Sequence, residues 1–185
     1  MYEMNDKIRQ NNGKWKGTGK GCVYVALFVA LTIATQLGLS AIPGVEVVTV
    51  LFVVFSFSFG VKFGMLAATA FSLIRQLVFG FFPNVLVLYL VYYNLLALLF
   101  GALGKRVKNP TRSLWWLVVV ACLCTASFTL LDDLITPLWY SYTPKATRAY
   151  FIASFAVMLP QVICTAVSVG VLFLPLRKVF AFARK

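Results

Sequence analysis

Glu46, Arg75, Asn94, Asp132, Asp133 and Gln161 interrupt runs of apolar residues in this chain, and Tyr93 stands directly before Asn94. Their types suit recognition more than bond-making. A guanidinium presents a planar fork of donors, carboxylates accept, and side-chain amides do both. An ionisable residue in an apolar run is costly there, so it faces the inside of a helix bundle or a wet cavity. Together these groups are expected to line a binding site for a polar solute. Tyr89, Tyr92, Tyr93, Trp139, Tyr140 and Tyr142 could stack on a ring-bearing ligand, while the last three also suit a membrane interface.

Catalysis is not expected. The chain has 0 histidines, so the commonest general base and metal ligand is missing. No nucleophile elbow, phosphate loop or paired metal motif occurs. Asp132-Asp133 falls short of the aspartate-rich magnesium motif of membrane prenyltransferases, lacking a third aspartate and a second motif. No cofactor or resident metal is expected. Without a nucleotide-binding segment, ATP hydrolysis must come from other subunits if it is used. Cys22, Cys122, Cys124 and Cys164 match no zinc spacing and are read as small apolar residues.

The elements that position these groups are membrane helices. Of the 185 residues, 61% are hydrophobic and 12% charged, with a mean hydropathy of +0.89. Globular domains carry roughly 25% charged residues. Apolar runs predict spans at Gly21–Leu39, Val45–Gly60, Gly64–Gly80, Val85–Leu103, Leu114–Trp139 and Ala149–Leu176. The second and third are short for a ~30 Å hydrocarbon core, which implies little tilt or shielding by neighbours. The fold class expected is all-α: a polytopic membrane protein with six transmembrane helices in one bundle. Residues 1–20 form a basic tail, 21–176 the membrane domain and 177–185 a second basic tail.

Charge sets the orientation. The net charge is +12. Lys and Arg crowd the N-terminal tail, the gap at Lys105–Arg112 and the C-terminus, with Lys62 in the second gap. The opposite side holds only Lys145 and Arg148, and Arg75 lies inside a span. Positive residues collect on the cytoplasmic side, so both termini are expected there. Basic residues so placed answer to topology and anionic lipid, and no nucleic-acid partner is expected. In this orientation the polar groups fall between the membrane middle and the outer surface. Arg75 then either pairs with Glu46, Asp132 or Asp133 or contacts the solute. Asp132 and Asp133 point about 100° apart on a helix, so they cannot enter one cavity equally.

One further pattern is steric. Ala26, Ala30, Ala34 and Gly38 recur every four residues in the first span and form a smooth ridge. In lipid, small residues allow close helix approach. The ridge serves either the protein's own bundle or a separate membrane subunit. Gly60-x-x-x-Gly64 marks a tight reversal between the second and third spans.

Ala26-Leu-Phe-Val-Ala30-Leu-Thr-Ile-Ala34, Ile42-Pro43-Gly44-Val45-Glu46 and the turn Phe59-Gly60-Val61-Lys62-Phe63-Gly64 give the chain a family resemblance. It resembles the substrate-binding (S) component of an energy-coupling factor (ECF) transporter, a bacterial micronutrient uptake system. That resemblance covers nearly everything beyond residue 20, including the last helix and its Arg-Lys tail. It implies capture of a vitamin or precursor near the outer face of the bacterial cytoplasmic membrane, under a loop at Ser40–Gly44. It also implies docking through the alanine ridge on a transmembrane coupling subunit that carries two ATPases. A stand-alone secondary transporter or a membrane sensor of a small polar solute is the alternative, and a structural membrane protein would bind no small ligand.

Overall fold

Among the described residues the chain forms six helices, and glycine or proline marks several of their ends. The computed structural model describes residues 19–41, 47–107 and 109–183. We number the helices α1 (Gly19–Leu39), α2 (Val48–Phe59), α3 (Val61–Phe79), α4 (Pro83–Arg106), α5 (Leu114–Trp139) and α6 (Pro144–Ala183). Gly60 separates α2 from α3 with φ +85°, a left-handed value that glycine adopts without steric cost. Gly80 ends α3 with φ +98°, and Pro83 starts α4 at the position where its missing N–H costs nothing.

Among the described residues the fold is all-helical. Five helices are long and apolar enough to cross a membrane, and α2 is a shorter apolar helix. Four of the expected spans fall within these elements, and α5 has the expected limits. The second, expected from Val45 to Gly60, begins among residues that are not described and ends one residue past α2. The third, expected to Gly80, ends one residue past α3. At its start α6 precedes the expected span, beginning at Pro144, and it runs past Leu176 to Ala183. Hydropathy marks only the apolar part of a helix, so polar turns at Lys145–Arg148 and Arg177–Lys178 escape it. Pro160 and Pro175 lie within α6, where helix-compatible φ lets the chain continue despite a lost hydrogen bond.

With 12 residues, α2 rises ~18 Å, less than a hydrocarbon core. Its place in the bundle accounts for that. It touches every other helix, and Val50, Phe52, Val53 and Val54 have no exposed surface. Around it lies an aromatic core. Phe28 of α1 stacks on Phe55 at 4.0 Å, and Phe52 meets Phe71 at 5.2 Å and Tyr93 at 4.7 Å. The Gly60 end is closed by α4. A Cβ on Gly101 would lie 2.6 Å from the Val61 nitrogen, and one on Gly104 would strike the Phe57 carbonyl. Backbones therefore meet there with no room for side chains.

At the edge of the bundle, α1 packs against α3 and, less extensively, α2. Only Gly21, Val25, Phe28, Val29 and Thr32 are buried on it.

Candidate functional site: the polar end of the bundle

The polar groups gather at the end away from Gly60, in two groups. The first lies between α1, α3 and α4, with Tyr89 at its centre. Gln36 of α1 donates from Nε2 to Tyr89 Oη at 3.1 Å. Arg75 of α3 lays its guanidinium over the Tyr89 ring at 4.2 Å and beside Phe79 at 5.0 Å. Arg75 thus turns inward and covers an aromatic face, a contact that favours a cation without neutralising it. Beside it, Gln76 is 4% exposed and accepts the Phe82 N–H on its Oε1 at 3.1 Å. Three buried polar atoms here have no hydrogen-bond partner among the described residues: Gln36 Oε1, Arg75 Nε and Gln76 Nε2.

The second group lies between α4, α5 and α6 and has a single direction. Tyr140 Oη donates to Asn84 Oδ1 at 3.3 Å, and Asn84 Nδ2 donates to Thr136 Oγ1 at 3.3 Å. Thr136 then donates to Asp132 Oδ1 and Tyr150 Oη to Asp132 Oδ2, both at 2.7 Å. Every proton points toward the Asp132 carboxylate. Asp133, 2% exposed, faces α6, where its Oδ2 lies 2.7 Å from Ser154 Oγ. Its Oδ1 is buried without a partner. The two aspartates diverge as adjacent helical residues must. Phe128 of α5 packs against the Tyr89 side, 5.6 Å from Tyr89 and 4.7 Å from Tyr92.

The expected site residues are thus divided between roles. Arg75, Asp132 and Asp133 belong to the polar end, and hydroxyls hold both aspartates; among the described residues no ion pair joins them to Arg75. Tyr93, 2% exposed, lies in the aromatic core against Phe52 and Phe71. Asn94 accepts from Thr69 Oγ1 at 3.3 Å and donates to the Leu90 carbonyl at 2.8 Å, tying α3 to α4 below the site. Gln161 accepts from Thr129 at 3.5 Å in the α5–α6 interface. Glu46, with the rest of residues 42–46 and so most of the expected closing loop, lies outside the described residues.

Sequence reasoning missed a polar seam that runs the length of the α5–α6 contact. Cys122 Sγ lies 3.8 Å from the Val162 carbonyl, Thr125 and Thr165 share a 3.0 Å hydrogen bond, and the Thr129, Asp133 and Asp132 pairs follow. A signal was present in the four-residue spacing of Ala121, Thr125, Thr129 and Asp133, which puts them on one face. Gln36 carried no such signal, being a lone amide in an apolar run.

The ridge residues of α1 have a different setting. Ala26, Ala30, Ala34 and Gly38 are all exposed, flanked by exposed Leu27 and Leu31. Among the described residues the bundle does not use them for its own packing. Comparison with protein-family models, curated proteins and solved structures finds no match to this chain.

Proposed function

We propose that this chain is the substrate-capture subunit of an ECF-type importer of a vitamin or vitamin precursor. In this reading it has six spans, lies in the bacterial cytoplasmic membrane and keeps both termini in the cytoplasm. The polar end of the bundle faces outward and holds the solute. The α1 ridge docks on a coupling subunit with two ATPases, which supply the energy that this chain does not.

The observation that carries the reading is the exposure of Ala26, Ala30, Ala34 and Gly38. Small residues on a membrane helix serve close packing, yet here they face away from the other described helices of the chain. A second membrane protein can approach along that face to backbone distance. Buried polar atoms around Tyr89 and Asp133 without partners add support, because such atoms are costly in an apolar medium unless a ligand completes them.

Ala30→Trp tests the docking. The indole would stand out from the ridge without entering the core, so folding and solute binding should persist. Co-purification with the coupling subunit, and uptake by cells, should both be lost. Normal co-purification of the variant would overturn the docking assignment. Uptake by the purified chain alone in liposomes would replace the whole reading with a stand-alone secondary transporter.

A further inference from the structure

We infer that Asp133 is a proton-binding site, and that the proton it holds clasps α5 to α6 at the polar end of the bundle. The inference stands apart from the capture reading: the ligand that completes this carboxyl is a proton rather than a solute.

Three observations meet on it. Asp133 is 2% exposed, and its Oδ1 is buried with no partner among the described residues. An oxygen enclosed in this way has space beside it for neither a water nor a metal ion, so a proton is the ligand that needs no repacking. The other oxygen meets a hydroxyl with more acceptors than protons. Ser154 Oγ lies 2.7 Å from Asp133 Oδ2 and 2.9 Å from the Phe151 carbonyl oxygen. A hydroxyl donates one proton. With Asp133 ionised, that proton serves one acceptor alone or both weakly. With a proton on Oδ2, the acid donates to Ser154 and Ser154 donates to Phe151, so each contact has its own proton. The remaining Oδ1 is then the carbonyl oxygen of a neutral acid, far less costly to bury unpaired than half of a carboxylate.

Asp132 shows the opposite arrangement. It is half-buried, and its two oxygens accept protons from Thr136 and Tyr150 at 2.7 Å each. Thr136 has its proton to give because its oxygen already accepts from Asn84. Two donors suit an ionised carboxylate. A second full charge on the adjacent residue is opposed by repulsion and by the apolar surroundings.

No counter-charge reaches Asp133 from the described helices packed on α5. α2 has no ionisable residue. On α4, Asn84 is neutral, Tyr89 and Tyr92 meet Phe128, and Lys105 and Arg106 lie in the last turn, beyond the Gly104 contact with Phe57. On α6, Tyr150 donates to Asp132, while Lys145 and Arg148 are exposed. Removing the proton therefore leaves a full charge between α5 and α6 with one hydroxyl to hold it, and parting the helices to admit water relieves it. The clasp closes with a proton and opens without one.

Infrared spectroscopy of the full chain, in a maltoside detergent free of ester carbonyls, tests the site. The chain has only 5 acidic side chains, so one protonated carboxyl stands out. At neutral pH the wild type should show one carboxylic-acid carbonyl band, which moves when the aspartate side-chain carboxyl is labelled with carbon-13. Asp133→Asn should abolish the band, and Asp132→Asn should keep it. Ser154→Ala should raise its frequency by removing the hydrogen-bond acceptor. An absent band in the folded wild type, or one that survives Asp133→Asn, overturns the site. If Asp133→Asn does not fold, a band that Ser154→Ala leaves unmoved does the same. Raising the pH until the band disappears should speed amide hydrogen exchange at the polar ends of α5 and α6. The gain should be roughly 10-fold or more over Asp133→Asn at the same pH, since asparagine has no charge to expose. Loss of the band with equal exchange in the two proteins overturns the clasp.

Discussion

Replacing Asp132 with asparagine probes the network on which the α4–α5–α6 junction depends. Asp132 accepts two hydroxyl protons at 2.7 Å, one from Thr136 and one from Tyr150. Asparagine keeps a single acceptor oxygen and turns an NH2 toward the other hydroxyl, which must reverse. Hydrogen bonds to charged groups contribute about 1.5–3 kcal/mol each, whereas side-chain bonds between membrane helices average ~0.6 and reach ~1.7 kcal/mol. Asp132 is half-buried, so a value of about 1 kcal/mol per bond fits both ranges. D132N loses the charge from both bonds and the geometry of one, for a cost of about 2 kcal/mol. Y150F removes one donor and costs about 1 kcal/mol. The double variant should cost about 1 kcal/mol less than the sum of the singles, because the bond is already gone. Cys122, Cys124 and Cys164 are half-buried thiols that a fluorogenic maleimide can label as the bundle opens. With exposed Cys22 first changed to serine, labelling during unfolding gives the three free-energy differences. Additivity to within ~0.5 kcal/mol would refute a network that ends on Asp132.

The close backbone approach at the Gly60 end makes Gly101→Ala destabilising by ~1–3 kcal/mol, measured by the same labelling. Gly170→Ala, where a Cβ would meet nothing within 4 Å, should be neutral or stabilising by up to ~1 kcal/mol. Equal behaviour of the two would remove the packing account of α4 on Val61. In the α5–α6 seam, Thr125→Val should cost ~1 kcal/mol by leaving buried Thr165 with one partner fewer. Adding Thr165→Val should cost little more; a full second penalty would show that the two hydroxyls do not pair.

Hydropathy made the helices legible because apolar length is a property of composition along the chain. It was less informative about direction. Arg75, Asp132 and Asp133 stood out by charge and do lie at the polar end, but their partners Thr136, Tyr150 and Ser154 have side chains ordinary enough for any membrane helix. Asn94 and Gln161 stood out equally, yet their hydrogen bonds join helices below the polar end. Which side of a helix meets which neighbour depends on the packing of all six, and that is a three-dimensional fact. The ridge on α1 illustrates the point from the opposite side. Its spacing was plain in the sequence, whereas its exposure became visible only once α1 was seen to pack through Val25, Phe28, Val29 and Thr32.

Native mass spectrometry of the full chain, extracted gently from cells grown in rich medium and expressing its coupling partners, tests the capture role most directly. The expected spectrum contains the chain with a noncovalent small-molecule adduct, and an assembly with one membrane subunit and two ATPases that Ala30→Trp abolishes. A bare chain in every preparation, with neither adduct nor partner, would contradict it.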